Sequence, residues 1–253
     1  MNKLSISMLL FVSIYASANP IDDKCPSLTY RTAPIVNADQ YICHTEYALA
    51  YSWTSKNPIY TTELLTKDHT GNLQRTNDFR VDPSIDVKYQ STPKDYVKTI
   101  CNGGRCDRGH MTPDQDFSSC NICVHESFFM SNMVPQNFKN NEVIWKHLEM
   151  LIRKYTASHS DGVYVITGPA YKSKSPTTIG NNKIWVPDLL WKIMIDHKNG
   201  KSIAFMMPNQ PESDLSQFIV SIHDIEEATG ITFDNSLDKT SIANFNIFLQ
   251  AKD

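Results

Sequence analysis

Beyond its first residues, the chain has no apolar run approaching the roughly 20 residues of a membrane-spanning helix, so it offers no candidate for one. No internal repeat, low-complexity tract or Pro-, Gly- or Ser-rich linker divides it. A basic excess is also missing: 24 Lys and Arg stand against 27 Asp and Glu, a formal charge of −3. Global charge therefore argues mildly against a polyanionic partner. The histidines at 44, 69, 125, 147, 159, 197 and 223 share no spacing that builds a metal site, and are read as surface or packing residues. What the first 18 residues do hold is a leader: Lys3 at the positive end, a mostly apolar Leu4 to Tyr15, and the small-residue string Ala16-Ser17-Ala18. The expectation is a signal peptide over 1–18, a single domain over 19–253, a secreted or periplasmic location, and no stable membrane association once the leader is cleaved.

Six cysteines, all after the leader, point to disulfides in an oxidising compartment. They allow 15 pairings. Nearest-neighbour closure is preferred, Cys25 with Cys43, Cys101 with Cys106 and Cys120 with Cys123, because it makes three local loops, two of them flanking Asp107-Arg108-Gly109-His110. The Cys120-Asn121-Ile122-Cys123 spacing could also belong to a redox motif or half a zinc site, but a second CxxC and a βαβ context are both absent.

The stretch from Asp107 to Glu149 carries the chemistry. Cutting a phosphodiester needs a deprotonated water, a counter-charge for the phosphate and a stabilised leaving oxygen. His110 titrates near neutrality and lies beside a fixed cation, Arg108, which makes it the general base. Arg108 offers a planar fork of donors to phosphate oxygens, and Gly109 permits close backbone approach. From Asn141 the apolar positions Ile144, Leu148, Leu151, Ile152 and Tyr155 recur at helical spacing. Asn141, Trp145 and Glu149, each four apart, share one stripe of that helix. Asn141 and Glu149 are separated by roughly 12 Å along the axis, so Asn141 takes the metal and Glu149 a water of its shell. Hard oxygen ligands favour hydrated Mg²⁺, with Mn²⁺ as a substitute, over Zn²⁺.

The string Asp107-Arg108-Gly109-His110, followed by Ser131-Asn132-Met133-Val134-Pro135-Gln136 and by Asn141, Trp145 and Glu149, resembles the DNA/RNA non-specific endonucleases of the ββα-metal, or His-Me finger, class. The resemblance runs on through Thr167-Gly168-Pro169, Val186-Pro187 and Met207-Pro208-Asn209. It implies His110 as general base, Mg²⁺ on Asn141, Glu149 on a water of the metal, and Arg108 on phosphate. An upstream phosphate arginine corresponds to Arg75, with Arg80 as the alternative. It further implies DNA and RNA as substrates, cut to 5′-phosphate products with little sequence preference. Groups that address phosphate and metal read no base edges, which agrees.

The expected fold is α+β, a mainly antiparallel sheet with flanking helices and a ββα-metal motif. Strands are expected between Tyr47 and Leu65, near His110, near Phe128 to Asn132, and at Gly162 to Thr167, Lys183 to Val186, Leu189 to Asp196 and Ser202 to Met207. Thr66 to Ser91 reads as a long loop that carries Arg75 to the site. A second helix is expected from Asp214, with Gln217 closing a capping box, to Gly230. Arg75, Arg80, Arg105, Arg108, Lys139, Lys146, Arg153 and Lys154 cluster in sequence around the site, Arg153 and Lys154 reading equally well as a solvated face. Trp145 is assigned to packing, Asn132 to support, and Asp107 to orienting Arg108 or holding the loop. Two rival readings stand: a disulfide-stapled nucleic-acid-binding protein without catalysis, and a hydrolase of small phosphodiesters. A toxin role would add a protein inhibitor as partner.

Overall fold

The computed structural model describes residues 20–29, 33–234 and 237. The leader expected over 1–18 lies outside them. Short helices α1 (Pro20–Lys24) and α2 (Pro26–Thr29) precede strands β1 (Gln40–Cys43), β2 (Tyr47–Ser52) and β3 (Asn57–Leu65). The long loop, with 3-10 turns at Lys67–His69 and Val87–Tyr89, leads to the hairpin β4 (Ile100–Cys101) and β5 (Gly104–His110). Next come α3 (Asn121–Ser127), β6 (Met133–Asn137), a π-helical turn (Asn140–Trp145) and α4 (Lys146–Ala157). The chain continues through β7 (Val163–Ala170), β8 (Thr178–Ile179), β9 (Ile184–Trp185), β10 (Leu189–Asp196), β11 (Lys201–Pro208), β12 (Ile219–Val220) and α5 (Ile222–Thr229).

Seven strands form one sheet in the order β1-β2-β3-β7-β10-β11-β12, every neighbouring pair antiparallel. Both faces are covered, which explains why β10 reads apolar almost throughout. Its Trp191, Ile193 and Ile195 pack with Ile21, Leu28, Ile222 and Ile225 on one side. Leu190 and Met194 pack with Ile144, Trp145, Leu148 and Ile152 on the other. Each fully buried Leu or Ile side chain contributes roughly 1.5–3 kcal/mol, and this apolar stripe seats α4 on the sheet. Two charged residues break the pattern in β10, Asp196 at its end and, mid-strand, Lys192, which is 1% exposed.

β5 and β6 pair antiparallel beside α4, His110 opposite Met133 and Asp107 opposite Gln136. The turn before β5 is Asn102-Gly103, both at positive φ (47° and 81°), the two-residue geometry that matches hairpin twist. Cys101–Cys106 closes the same hairpin, and Cys25–Cys43 and Cys120–Cys123 complete the nearest-neighbour set.

Three elements differ from expectation. The second strand of the motif is Met133–Asn137; before it, Met130–Asn132 is a 3-10 turn. Asn132 causes this, since its buried amide donates to the Thr112 and Ser127 carbonyls and accepts from the Thr112 amide, satisfying turn backbone with a side chain. That is the supporting role assigned to it. The helix expected over 214–230 is broken: Asp214 accepts from Ser216 and Gln217 and closes only a 3-10 turn, Leu215–Phe218. The chain then pairs as β12, and the capping box belongs to Ser221 and Asp224, opening α5. Gly230, at φ 72°, ends the helix as expected. Finally, the helix at Asn141 begins with a π turn rather than an α turn.

Candidate active site

The end of β5, the loop at Arg75 and the start of α4 enclose an open cleft of about 1060 Å³. Arg75, Arg108, His110, Asn141 and Glu149 all line it. Gly109 is required by a close approach, because a Cβ there would lie 1.9 Å from Gln136 Oε1. Gln136 in turn donates to Asn140 Oδ1 (2.7 Å), and Asn140 donates to the Pro208 and Gln210 carbonyls (2.9 and 3.1 Å). This buried amide clamp holds the first residue of the π turn. Such turns re-aim side chains within a helix. Here the turn precedes α4, and Asn141 and Glu149 open onto one cleft.

Asn141 Nδ2 donates to Asp107 Oδ2 at 3.1 Å, which directs the amide oxygen away from that carboxylate. The other Asp107 oxygen accepts from Arg105, whose guanidinium also reaches Glu142 at 3.2 Å. Asp107 therefore orients Asn141; of its two expected roles, orienting Arg108 and holding the loop, the first gives way to this contact. The cause is strand geometry, since consecutive residues of β5 point to opposite faces.

His110 is 6% exposed, and its Nε2 is buried without a hydrogen-bond partner. Phe128 meets the imidazole edge-on at 5.0 Å between centroids, and Phe79 lies at 5.6 Å. Burial, then the Arg75 and Arg108 guanidinium groups, hold its pKa well below the usual histidine value. The ring is thus neutral at physiological pH, as a proton acceptor must be. Arg108 stacks 4.1 Å from the Phe79 ring centroid, and its Nε is buried without a partner. Arg75 pairs with Asp114, donates to Asn77 and lies 4.9 Å from the Phe128 ring centroid. Arg80 is engaged elsewhere, with Asp78, the His125 carbonyl and the Phe129 ring, and does not line the cleft. Of the two expected candidates, Arg75 is the one placed on the cleft.

Beneath His110 lies a buried charged layer. Burial raises the Glu149 carboxyl to about 7, against the lowering effect of Lys192 and Arg153. Arg153 lines the cleft, is half-buried and donates to the buried Asp116 at 2.6 Å, so it is an ion-pair partner rather than a solvated face. Burial also raises Asp116 and, strongly, Glu63, whose two carboxyl oxygens lack hydrogen-bond partners. Trp145 is 1% exposed and packs, as assigned. Lys98, at φ 56°, adds a cation to the rim without any warning in the sequence. Lys192 did leave a signal, a charge in the middle of an otherwise apolar strand whose other charge, Asp196, stands at its end.

Comparison with known proteins shows the family and the fold. A family model described as DNA/RNA non-specific endonuclease matches residues 26–240. The mouse (Mus musculus) protein "Nuclease EXOG, mitochondrial" is 31% identical over 217 residues, 78% of this chain and 57% of the relative. Its zebrafish (Danio rerio) counterpart is 32% identical over 220 residues, 79% of this chain and 62% of the relative. The chain thus spans under two thirds of the length of these relatives. In the solved structure of the EndoG/EndoGI complex, one chain superposes with a TM-score of 0.72 at 27% identity, covering 81% of this chain and 90% of that one. The mitochondrial names overturn the expectation of a secreted or periplasmic location. That expectation rested on Lys3, the apolar Leu4 to Tyr15 and the string Ala16-Ser17-Ala18, all in residues outside those described.

Proposed function

The chain belongs to the DNA/RNA non-specific endonuclease family, and from that premise we propose that residues 19–253 form one catalytic domain that hydrolyses phosphodiester bonds of DNA and RNA to 5′-phosphate products. The observation that carries this reading is His110: a buried, neutral imidazole with an unpartnered Nε2, in a cleft it shares with Arg75, Arg108, Asn141 and Glu149. A binding protein has no use for such a base.

His110 Nε2 accepts the proton of the attacking water. Arg108 and Arg75 hold the phosphate, and their charge also keeps His110 from being protonated beforehand. The donor set fits hydrated Mg²⁺: the amide oxygen of Asn141, fixed by Asp107, is a hard ligand, and Glu149 lies in the same cleft to hold a hydration water. When bound, the cation offsets charge on the phosphate and on the leaving 3′ oxygen. Phe79 and Phe128 wall the imidazole, exclude bulk water from it and fix its plane.

The open cleft suits a polymer rather than a small phosphodiester. The EndoG/EndoGI complex makes a protein inhibitor a reasonable partner class for this chain as well. Incubating the purified protein with plasmid and with RNA in Mg²⁺, Mn²⁺ or EDTA tests the reading. Metal-dependent cutting of both polymers with 5′-phosphate ends is expected; binding without cutting in every metal favours the non-catalytic reading instead.

A further inference from the structure

Resting on that reading, we propose that Lys192 is a positioning residue of the reaction, an ammonium in the protein interior that anchors the backbone immediately after the catalytic base. Lys192 lies on β10 between Leu190 and Met194, on the sheet face that α4 covers. Its Nζ donates to the carbonyl of Met111 (3.2 Å) and to the hydroxyl of Thr167 on β7 (2.7 Å). Met111 directly follows His110, and its own amide donates to the Asn132 carbonyl (3.0 Å). The residue after the base is therefore held at both its amide, by Asn132, and its carbonyl, by Lys192. The Lys192 ammonium also stands 5.0 Å from the centroid of Trp145, one turn before Glu149 in the helix.

An apolar side chain would fill this place at lower cost. Removing an ammonium from water costs several kcal/mol, and replacing buried charge by well-packed apolar residues is often neutral or stabilising. Nothing in packing calls for a cation between Leu190 and Met194. Of the buried acids in electrostatic reach, Glu149, Glu63 and Asp116, none forms a salt bridge with it among the described residues, and neither Glu63 oxygen has a hydrogen-bond partner. The donor's targets do explain it. One is the backbone beside His110, and a displacement of about 1 Å of a catalytic group costs on the order of 100-fold in rate.

The test compares the full-length protein with Lys192→Met and with Lys192→Met/Glu63→Gln, the second variant removing the carboxyl that Lys192 faces across the interior. Circular dichroism and thermal unfolding establish folding, kcat and KM on RNA are separated, and NMR follows the Met111 carbonyl and the His110 ring. The expected result is that the double variant is at least as stable as the wild type, with kcat lowered on the order of 100-fold, KM within about threefold, and shifted Met111 and His110 signals. A folded variant with wild-type kcat overturns the inference, as does a double variant that regains kcat together with stability. Failure of both variants to fold assigns Lys192 to the fold alone and also overturns it. A wild-type protein that cuts no nucleic acid defeats the underlying reading instead, and is distinguishable because it involves no variant.

Discussion

At the scale of single residues, the chemistry is concentrated enough to be read from sequence. That His110, Arg108, Asn141 and Glu149 would meet in one cleft was legible, because they fall within one stretch at spacings with direct chemical meaning. What failed were assignments decided by distant partners. Asp107 lies beside Arg108 in sequence, but its partner is Asn141, 34 residues on. The choice between Arg75 and Arg80 depended on which way a long loop turns, and Arg153 on a carboxylate at position 116. The environment of His110 yields a pH prediction. Its folded pKa is depressed, so the base is available down to a pH below the ordinary histidine value of about 6.5. In Arg75→Gln one of the cations that disfavour imidazolium is gone, the pKa rises, and the acid limb of kcat/KM moves to higher pH. An unmoved limb in the pH–rate profile contradicts this electrostatic account. By the same linkage, the unfolded chain takes up a proton that the native state refuses as pH falls below about 6.5, so His110 contributes a loss of stability there.

At the scale of elements, sheet strands were the legible part. β10 and β11 announce themselves as continuous apolar runs because two layers bury both faces. The helices were read less well, since apolar periodicity reports that a face is buried but not how the first turn is wound. The π turn at Asn140–Trp145 is imposed by bonds from Gln136, Pro208 and Gln210, two of them 68 and 70 residues away, which no local pattern encodes. Likewise the break at Ile219–Val220 is set by pairing with β11. The clamp is testable. Asn140→Ala leaves two carbonyls and the Gln136 amide without their partner, at about 1–3 kcal/mol for each group left unsatisfied. A fall in Tm of several degrees is expected in calorimetry, with weaker Mg²⁺ or Mn²⁺ binding by titration, because Asn141 loses its seat. Unchanged metal affinity in a folded Asn140→Ala protein separates the π turn from the metal site.

For the whole molecule, the net charge of −3 misdirects, because the cleft wall gathers Arg75, Lys98, Arg105, Arg108, Lys146 and Arg153 while the acidic excess lies elsewhere. The pairing of cysteines was more legible than its 15 alternatives suggest, since each pair closes a loop the local structure already bends. Loop entropy ranks their contributions. Cys25–Cys43 spans 18 residues and stabilises by about 3 kcal/mol, against about 2 kcal/mol for Cys120–Cys123, which spans 3. Guanidinium unfolding of Cys25→Ser/Cys43→Ser and Cys120→Ser/Cys123→Ser should show that order, and a reversed order means native-state packing outweighs chain entropy. The central claim, that this cleft is a metal-dependent nuclease centre with His110 as its base, is tested most directly by degradation of plasmid and RNA by wild type and His110→Ala in Mg²⁺. The account predicts that both polymers are cut by the wild type and that the folded variant loses the activity by on the order of 100-fold or more. Full activity in His110→Ala contradicts it.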